Sequence, residues 1–283
     1  MVRLGAFMAR TGGSAAAALL SRHECKYLVS ARLLAQVRDY LRPFMRPDAY
    51  ALARPDRRYQ VTSLYLDSSD LALYAMTNGG EKNRFKLRLR WYRDAADAPV
   101  FVEIKKRVDQ IVLKSRCRVE AQAAEDLVRS LPGLSRASAG ATAAAVPDVA
   151  DFLSRCRRAR ARPMLLVRYW REAYESSGPD PVRVTFDTEL EYALAAVDAL
   201  GRGDAQWRST PLDGAILEIK FTQLVPSWVR SMIRDLELQK QSIPKYCLSI
   251  EEAMRRGEYR LAAASTLDRT SARSPRARAG WGT

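Results

Sequence analysis

A single histidine, His23, and four scattered cysteines are the only imidazole and thiol groups this 283-residue chain offers a metal. Cys25, Cys117, Cys156 and Cys247 lie far apart with no CxxC pair. Neither a zinc site nor a disulfide framework fits that spacing, and a reduced, cytoplasmic setting is the simple expectation. No apolar run approaches the ~20 residues of a membrane-crossing helix. The start of the chain, with Arg10 and Gly12–Gly13 ahead of the short run Ala15–Leu20, makes a poor signal peptide. Lysine is scarce as well, with 9 Lys against 38 Arg, so part of the positive charge reflects a general bias towards Arg and Ala.

What the chain has in excess is positive charge, 47 Lys and Arg against 32 Asp and Glu, a formal +15. At 47% hydrophobic and 28% charged residues it is otherwise an ordinary globular composition, which excludes disorder throughout and a collagen-like chain. Residues 1–21 carry +2 (Arg3, Arg10), and residues 262–283 carry +3 (Arg269, Arg273, Arg276, Arg278 against Asp268), leaving +10 on 22–261. Both ends are unpatterned and read as flexible tails, the second of them basic, around one domain over 22–261. Ser135–Val146 reads as a surface connection. The body's excess predicts an anionic partner: nucleic acid, a phosphate-rich ligand or a membrane surface.

Between the tails, apolar and polar residues alternate with the period of a strand. In Arg84–Trp91, Arg84, Lys86, Arg88 and Arg90 alternate with Phe85, Leu87, Leu89 and Trp91. Val100–Lys105, Leu113–Glu120, Val182–Glu191 and Ile216–Phe221 alternate likewise, and Tyr59–Asp67, Glu24–Val29 and Met164–Tyr174 are further strand candidates. Helical spacing is rarer. Ser30 is placed to cap a helix carrying Leu33, Leu34, Val37 and Leu41, and Pro226 sits near the first turn of one with Trp228 and Met232. Pro147–Arg158 and Tyr246–Arg256 are shorter candidates. The balance is an α+β chain dominated by about eight antiparallel strands.

Four like charges about 7 Å apart along one strand face are unusual. At an effective dielectric of about 20 each neighbouring pair repels by about 2 kcal/mol, and a bound polyanion removes that repulsion. A solvated face tolerates it too. A Glu-x-Lys pair recurs three times, as Glu24/Lys26, Glu103/Lys105 and Glu218/Lys220. Gathered around one cavity, such faces hold phosphates with their cations and a divalent ion with their carboxylates.

The ordered series Glu24-Cys25-Lys26-Tyr27, Ser63-Leu64-Tyr65-Leu66-Asp67 and Lys86-Leu87-Arg88-Leu89-Arg90-Trp91-Tyr92 resembles the VTC (vacuolar transporter chaperone) domain, the polyphosphate polymerase branch of the triphosphate tunnel metalloenzymes. The similarity continues through Phe101–Lys105, Lys114–Arg116, Tyr169–Tyr174, Val182–Thr188, Leu217–Phe221 and Pro244–Tyr246. It implies a closed antiparallel β-barrel of about eight strands, forming a polar tunnel with helices packed outside. It implies ATP and polyphosphate as the bound partners, with no specific nucleic acid, and transfer of the ATP γ-phosphate onto a growing chain. By the same resemblance Lys26, Arg88, Arg90, Lys105 and Lys220 are the expected catalytic residues. Arg84, Lys114, Tyr169, Arg171, Arg183 and Lys245 are expected to bind substrate, and Glu218, with Glu120 or Glu24, to hold Mn²⁺ or Mg²⁺. Export of the polymer then requires a separate membrane partner protein.

Two departures stand out. The wider superfamily opens on Glu-x-Glu-x-Lys, and Arg22 occupies the first of those Glu positions, which disfavours the triphosphatase branch; VTC domains share that loss. Pro244 precedes Lys245 where relatives often carry Ser. A triphosphatase and a non-catalytic polyphosphate-binding module remain alternatives. His23 reads as structural, Cys25 and Cys117 as small apolar wall residues, and Trp91, Tyr92, Trp170 and Trp228 as packing. The run Arg155–Arg162 reads as a solvated helix end or as a second polyanion-docking patch.

Overall fold

The period-two segments all form strands, and they assemble into one curled antiparallel sheet. The structure, a computed structural model, describes residues 22–92, 98–109, 111–131, 147–178, 181–195, 200, 205–222 and 224–259. The tails expected at 1–21 and 262–283 and the connection Ser135–Val146 lie outside the described residues.

Eight strands form the path: β1 (Arg22–Val29), β3 (Tyr59–Asp67), β4 (Arg84–Trp91), β5 (Val100–Val108), β6 (Ile111–Val119), β7 (Arg162–Ser176), β8 (Arg183–Leu194) and β10 (Ala215–Thr222). Their order across the sheet is β1-β10-β8-β7-β3-β4-β5-β6. The short strands β2 (Met45–Pro47) and β9 (Arg208–Ser209) pair with the margins of β7 and β8. Seven helices are present among the described residues: α1 (Ala31–Leu41), α2 (Ala49–Leu52), α3 (Ala72–Asn78), α4 (Ala121–Arg129), α5 (Pro147–Arg158), α6 (Ser227–Asp235) and α7 (Lys245–Arg255). Ser30 caps α1 as its position suggests, its Oγ accepting the Leu33 N–H at 3.3 Å.

Burial of apolar area drives the packing. On the convex side of β4 and β5, Leu87, Leu89, Trp91, Val102 and Ile104 pack with Leu127 and Val128 of α4 and Phe152 and Leu153 of α5. On the other half, Tyr27, Val184, Phe186, Leu217 and Ile219 pack with Leu34, Val37 and Leu41 of α1 and Val229 and Met232 of α6. Helix α7 lies elsewhere. Its Tyr246, Cys247, Ile250 and Ala253 meet Tyr65, Leu165 and Val167, which share the concave face with Arg88 and Ser63, so α7 fills one end of the hollow.

The sheet is a half-barrel and not the closed barrel expected from the resemblance. The path ends at β1 and β6, which do not pair. The free side of β1 is taken by the segment before α7: Tyr27 bridges Lys240, and the Gln241 N–H donates to the Lys26 carbonyl at 2.8 Å. With those backbone groups satisfied, β6 has no edge to join there, and its Ile111, Val112 and Leu113 remain exposed.

Candidate functional site

Directly opposed residues of antiparallel neighbours share a face, so the strand registers bring the polar alternations into rows across the concave side. Across β4, β5 and β6 run Lys86, Lys105 and Lys114. The next row is Tyr65, Arg88, Glu103 and Arg116, and beyond it lie Ser63, Arg90, Phe101 and Arg118. Arg84 faces Arg107 at the opposite end. Among the described residues this wall carries one carboxylate, Glu103. On the other wall, Glu24, Lys220 and Arg183 form one row, and Lys26, Glu218 and Thr185 another. Ile216, Asp187, Arg171 and Tyr59 form a third.

Glu103, 1% exposed, is the hub of the cationic wall. Its carboxylate lies 2.6 Å from Arg88, 3.0 Å from Lys114, 3.4 Å from Arg116 and 4.0 Å from Arg90. Burial alone would raise its pKa, but Arg88, Arg90 and Lys114 hold it far below the ordinary carboxylate range. Arg90 also donates to Ser63 Oγ at 3.1 Å, and Arg88 donates to Tyr65 Oη at 3.2 Å. Burial pushes the Lys86 ammonium down to about 8, with Lys26 and Lys105 adding to the effect. Lys114 is likewise pushed down to about 8 by burial, in spite of Glu103. Burial would raise the Tyr65 phenol, yet Arg88, Arg90 and Lys86 bring it down to about 8.

The carboxylates concentrate on the other wall. Asp187, fully buried, takes a bidentate pair from Arg171, both contacts at 2.7 Å, and Lys245 of α7 at 2.6 Å. Burial opposes its ionisation, but Arg171 and Lys245 hold it down to about 2. Glu218 pairs with Lys220 at 2.7 Å and lies 3.9 Å from Arg171. Against the cost of burial, Lys220, Lys26 and Lys245 hold it well below its ordinary value. Glu24 pairs with Lys26 at 3.3 Å and, across the hollow, with Lys105 of β5 at 2.9 Å. That contact joins the two walls where no hydrogen-bonded strands do. Tyr169 is buried beneath Lys245 and Arg171, whose charged groups lie 4.7 and 5.3 Å from its ring centre. Arg183 reaches Asp48 at 2.7 Å and also pairs with Glu175.

Lys26, Arg84, Arg88, Arg90, Lys105, Lys114, Tyr169, Arg171, Arg183, Lys220 and Lys245 therefore gather around one hollow, together with Glu24 and Glu218. Arg84 is the outlying member and donates to the Glu81 carbonyl. Glu120 does not join them. The strand ends at Val119, and Glu120 stands at the start of α4, 74% exposed, with Arg118 at 3.8 Å. Among the described residues no three His, Cys, Asp or Glu side chains form a metal-holding group. A hard cation is commonly held by one or two carboxylates plus substrate phosphates, and Glu218 with Glu24 fits that pattern. Thr185 Oγ1, opposite Glu218, is buried with no hydrogen-bond partner and offers a further oxygen donor beside them.

Sequence reasoning passed over Lys86, Arg116 and Thr185, and it assigned no role to Glu103 as an ion-pair hub. The inward parity of Arg84–Arg90 already included Lys86; the others depend on register. Tyr92, read as packing, sits on the cleft side, its ring 5.4 Å beneath the Arg116 guanidinium. The rest of the minor set lies outside the hollow. His23 stacks on Phe221, Trp91 is in the core, Trp170 lies under Arg58 and Trp228 stacks on Phe44. The four cysteines are free thiols, and Cys25 and Cys117 pack against the outer cores. Among the described residues no helix is long and apolar enough to cross a membrane.

The VTC domain family matches residues 21–254 of the chain. No curated protein matches it. A solved structure similar to it is that of the PH1819 protein from Pyrococcus horikoshii OT3, at 16% identity, covering 83% of this chain and 99% of that one, with a TM-score of 0.40.

Proposed function

Because the chain belongs to the VTC domain family, a part of the triphosphate tunnel metalloenzyme superfamily, we propose that it is an ATP-dependent polyphosphate polymerase. One observation carries this reading: the cations of β4–β6 line one wall of a hollow whose opposite wall holds the carboxylates Glu24 and Glu218. A linear phosphate chain would match the first wall, and Glu24 and Glu218 would offer it oxygens for a divalent ion from the opposite one.

In this reading the ATP triphosphate lies in the hollow, gripped by Arg88, Arg90, Arg171 and Arg183, whose guanidinium forks suit phosphate oxygens. Lys26, Lys105, Lys220 and Lys245 neutralise charge as compact point donors. A terminal oxygen of phosphate or polyphosphate attacks the γ-phosphorus, the bond from that phosphorus to the bridging oxygen of the β-phosphate breaks, and ADP leaves. The acceptor is then one phosphate longer. Such a transfer needs alignment and charge stabilisation more than a protein nucleophile. Glu218 and Glu24 would hold a Mn²⁺ or Mg²⁺ ion, which when bound neutralises phosphate oxygens and orients the donor.

The test is incubation of the pure protein with ATP and Mn²⁺, followed by a gel stained for polyphosphate. A ladder with ADP release is expected, and Lys220→Ala is expected to lower the rate by about 10²-fold or more. Free phosphate with no ladder would overturn the polymerase in favour of a triphosphatase. Neither product, with polyphosphate still bound, would leave a binding module.

A further inference from the structure

Past the last arginines, the cleft ends in aromatic rings rather than in charge. Tyr92 follows Arg90 by one alternation, and Phe101 lies directly opposite Arg90. Their rings meet edge to face at 5.7 Å. The Arg116 guanidinium covers Phe101 at 3.6 Å and donates to Tyr92 Oη at 3.2 Å. Tyr59, opposite Arg171, adds a third ring 6.3 Å from Tyr92. The outermost ring is Tyr50 on α2, which stacks on Tyr92 at 6.1 Å with 18° between planes. It is 63% exposed.

Tyr50 also tilts against the buried Tyr59 ring, with ring centres 5.8 Å apart. Its helix is tied to the cleft from below: Asp48 caps it by accepting the Ala51 N–H at 2.8 Å, and the same carboxylate holds Arg183 at 2.7 Å and Tyr59 Oη at 3.2 Å. An exposed aromatic face is thus fixed next to a phosphate-binding arginine. The geometry points to Tyr50 and Tyr92 as the seat of a nucleobase, so that the ligand taken by the cleft is a nucleoside triphosphate with its base stacked at this end and its phosphates running inward past Arg183, Arg171 and Arg90. This rests on the phosphate-cleft reading above. A base held between the two rings needs about 7 Å, twice a normal ring contact. The 6.1 Å between ring centres belongs to two rings already stacked on each other, so the exposed Tyr50 has to swing aside to open that gap. Stacking accepts any π-face, so the seat favours a nucleoside over inorganic phosphate without reading the base edge.

The experiment compares ATP with inorganic tripolyphosphate by titration calorimetry at one Mg²⁺ concentration, for the wild type and for Tyr50→Ala. Because Tyr50 is exposed, the variant is expected to fold, and circular dichroism checks it. Loss of one stacking partner is expected to weaken ATP about tenfold and leave tripolyphosphate within twofold; Tyr50→Trp is expected to restore ATP. If Tyr50→Ala binds both ligands as the wild type does, or loses both alike, the base seat is wrong while the phosphate cleft stands. If the wild type binds neither, the cleft reading fails and this inference with it.

Discussion

Lys86 brings a positive charge to a half-buried position beside Lys105, and among the described residues no carboxylate pairs with it. Folding therefore disfavours its charged form, and its pKa lies at about 8 instead of 10.5. Lys114, at the other end of the same row, is also at about 8. Between those values the unfolded chain binds more protons than the folded one, so these two groups make the free protein more stable as pH rises from about 8. A phosphate chain on the row has the opposite preference: it favours the ammonium forms and draws both pKa values up again. Tripolyphosphate binding at pH 9 is thus expected to take up protons, and affinity to fall as pH rises through about 8. Calorimetry in two buffers of different ionisation enthalpy measures the uptake, and Lys86→Met should reduce it. Uptake that is absent at pH 9, or the same in Lys86→Met, would show that the ligand does not lie on this row.

At the scale of elements, the pairing of β1 with β10 sets the carboxylate wall, since it places Glu24 opposite Lys220 and Lys26 opposite Glu218. That register begins at Gly214, just ahead of β10. Gly214 has φ +101°, and a Cβ there would lie 2.0 Å from the Val29 carbonyl oxygen. Only glycine lets the two backbones approach so closely. Gly214→Ala is expected to destabilise the fold by about 1–3 kcal/mol and to weaken tripolyphosphate binding through the shifted wall; thermal unfolding with a parallel titration checks both. An unchanged melting temperature would mean that the turn absorbs the methyl group. Much of this element layer was legible from sequence. Burial of one face imposes a period of two, so Arg84–Arg90 against Leu87 and Leu89 could be read directly, as could the Ser30 cap. Cross-strand neighbours could not, because register is decided in the turns. The lysine row and the four cations around Glu103 were hidden for that reason. Tyr246, Ile250 and Ala253 gave α7 a helical period without saying that it would fill the concave side. Nor did any local signal mark Lys240 and Gln241 as the cover for the edge of β1, so nothing in the residues themselves opposed the closed barrel that the resemblance implies.

Viewed whole, the hollow is electrically lopsided. The +15 of the chain has little to do with the wall of β1, β10, β8 and β7, where Glu24, Glu218, Asp187 and Glu175 offset their cations, and much to do with β4–β6, where among the described residues Glu103 is the wall's own carboxylate and Glu24 reaches across to Lys105. Ligands that span several rows should therefore gain with each phosphate, whereas a single anion meets only one row. At equal concentration, orthophosphate, pyrophosphate, tripolyphosphate and longer chains are expected to raise the melting temperature in that order. A ligand present at a hundred times its Kd adds about 2.7 kcal/mol of stability, which for a domain of this size is a shift of about 5–10 °C. Added sodium chloride should shrink the shift for the longer chains most, because they engage the most partly exposed cations. Differential scanning fluorimetry across the series decides it. If orthophosphate shifted the melting temperature as far as tripolyphosphate does, the cations would be acting as separate anion sites, and the continuous wall on which the polymer is proposed to grow would lose its support.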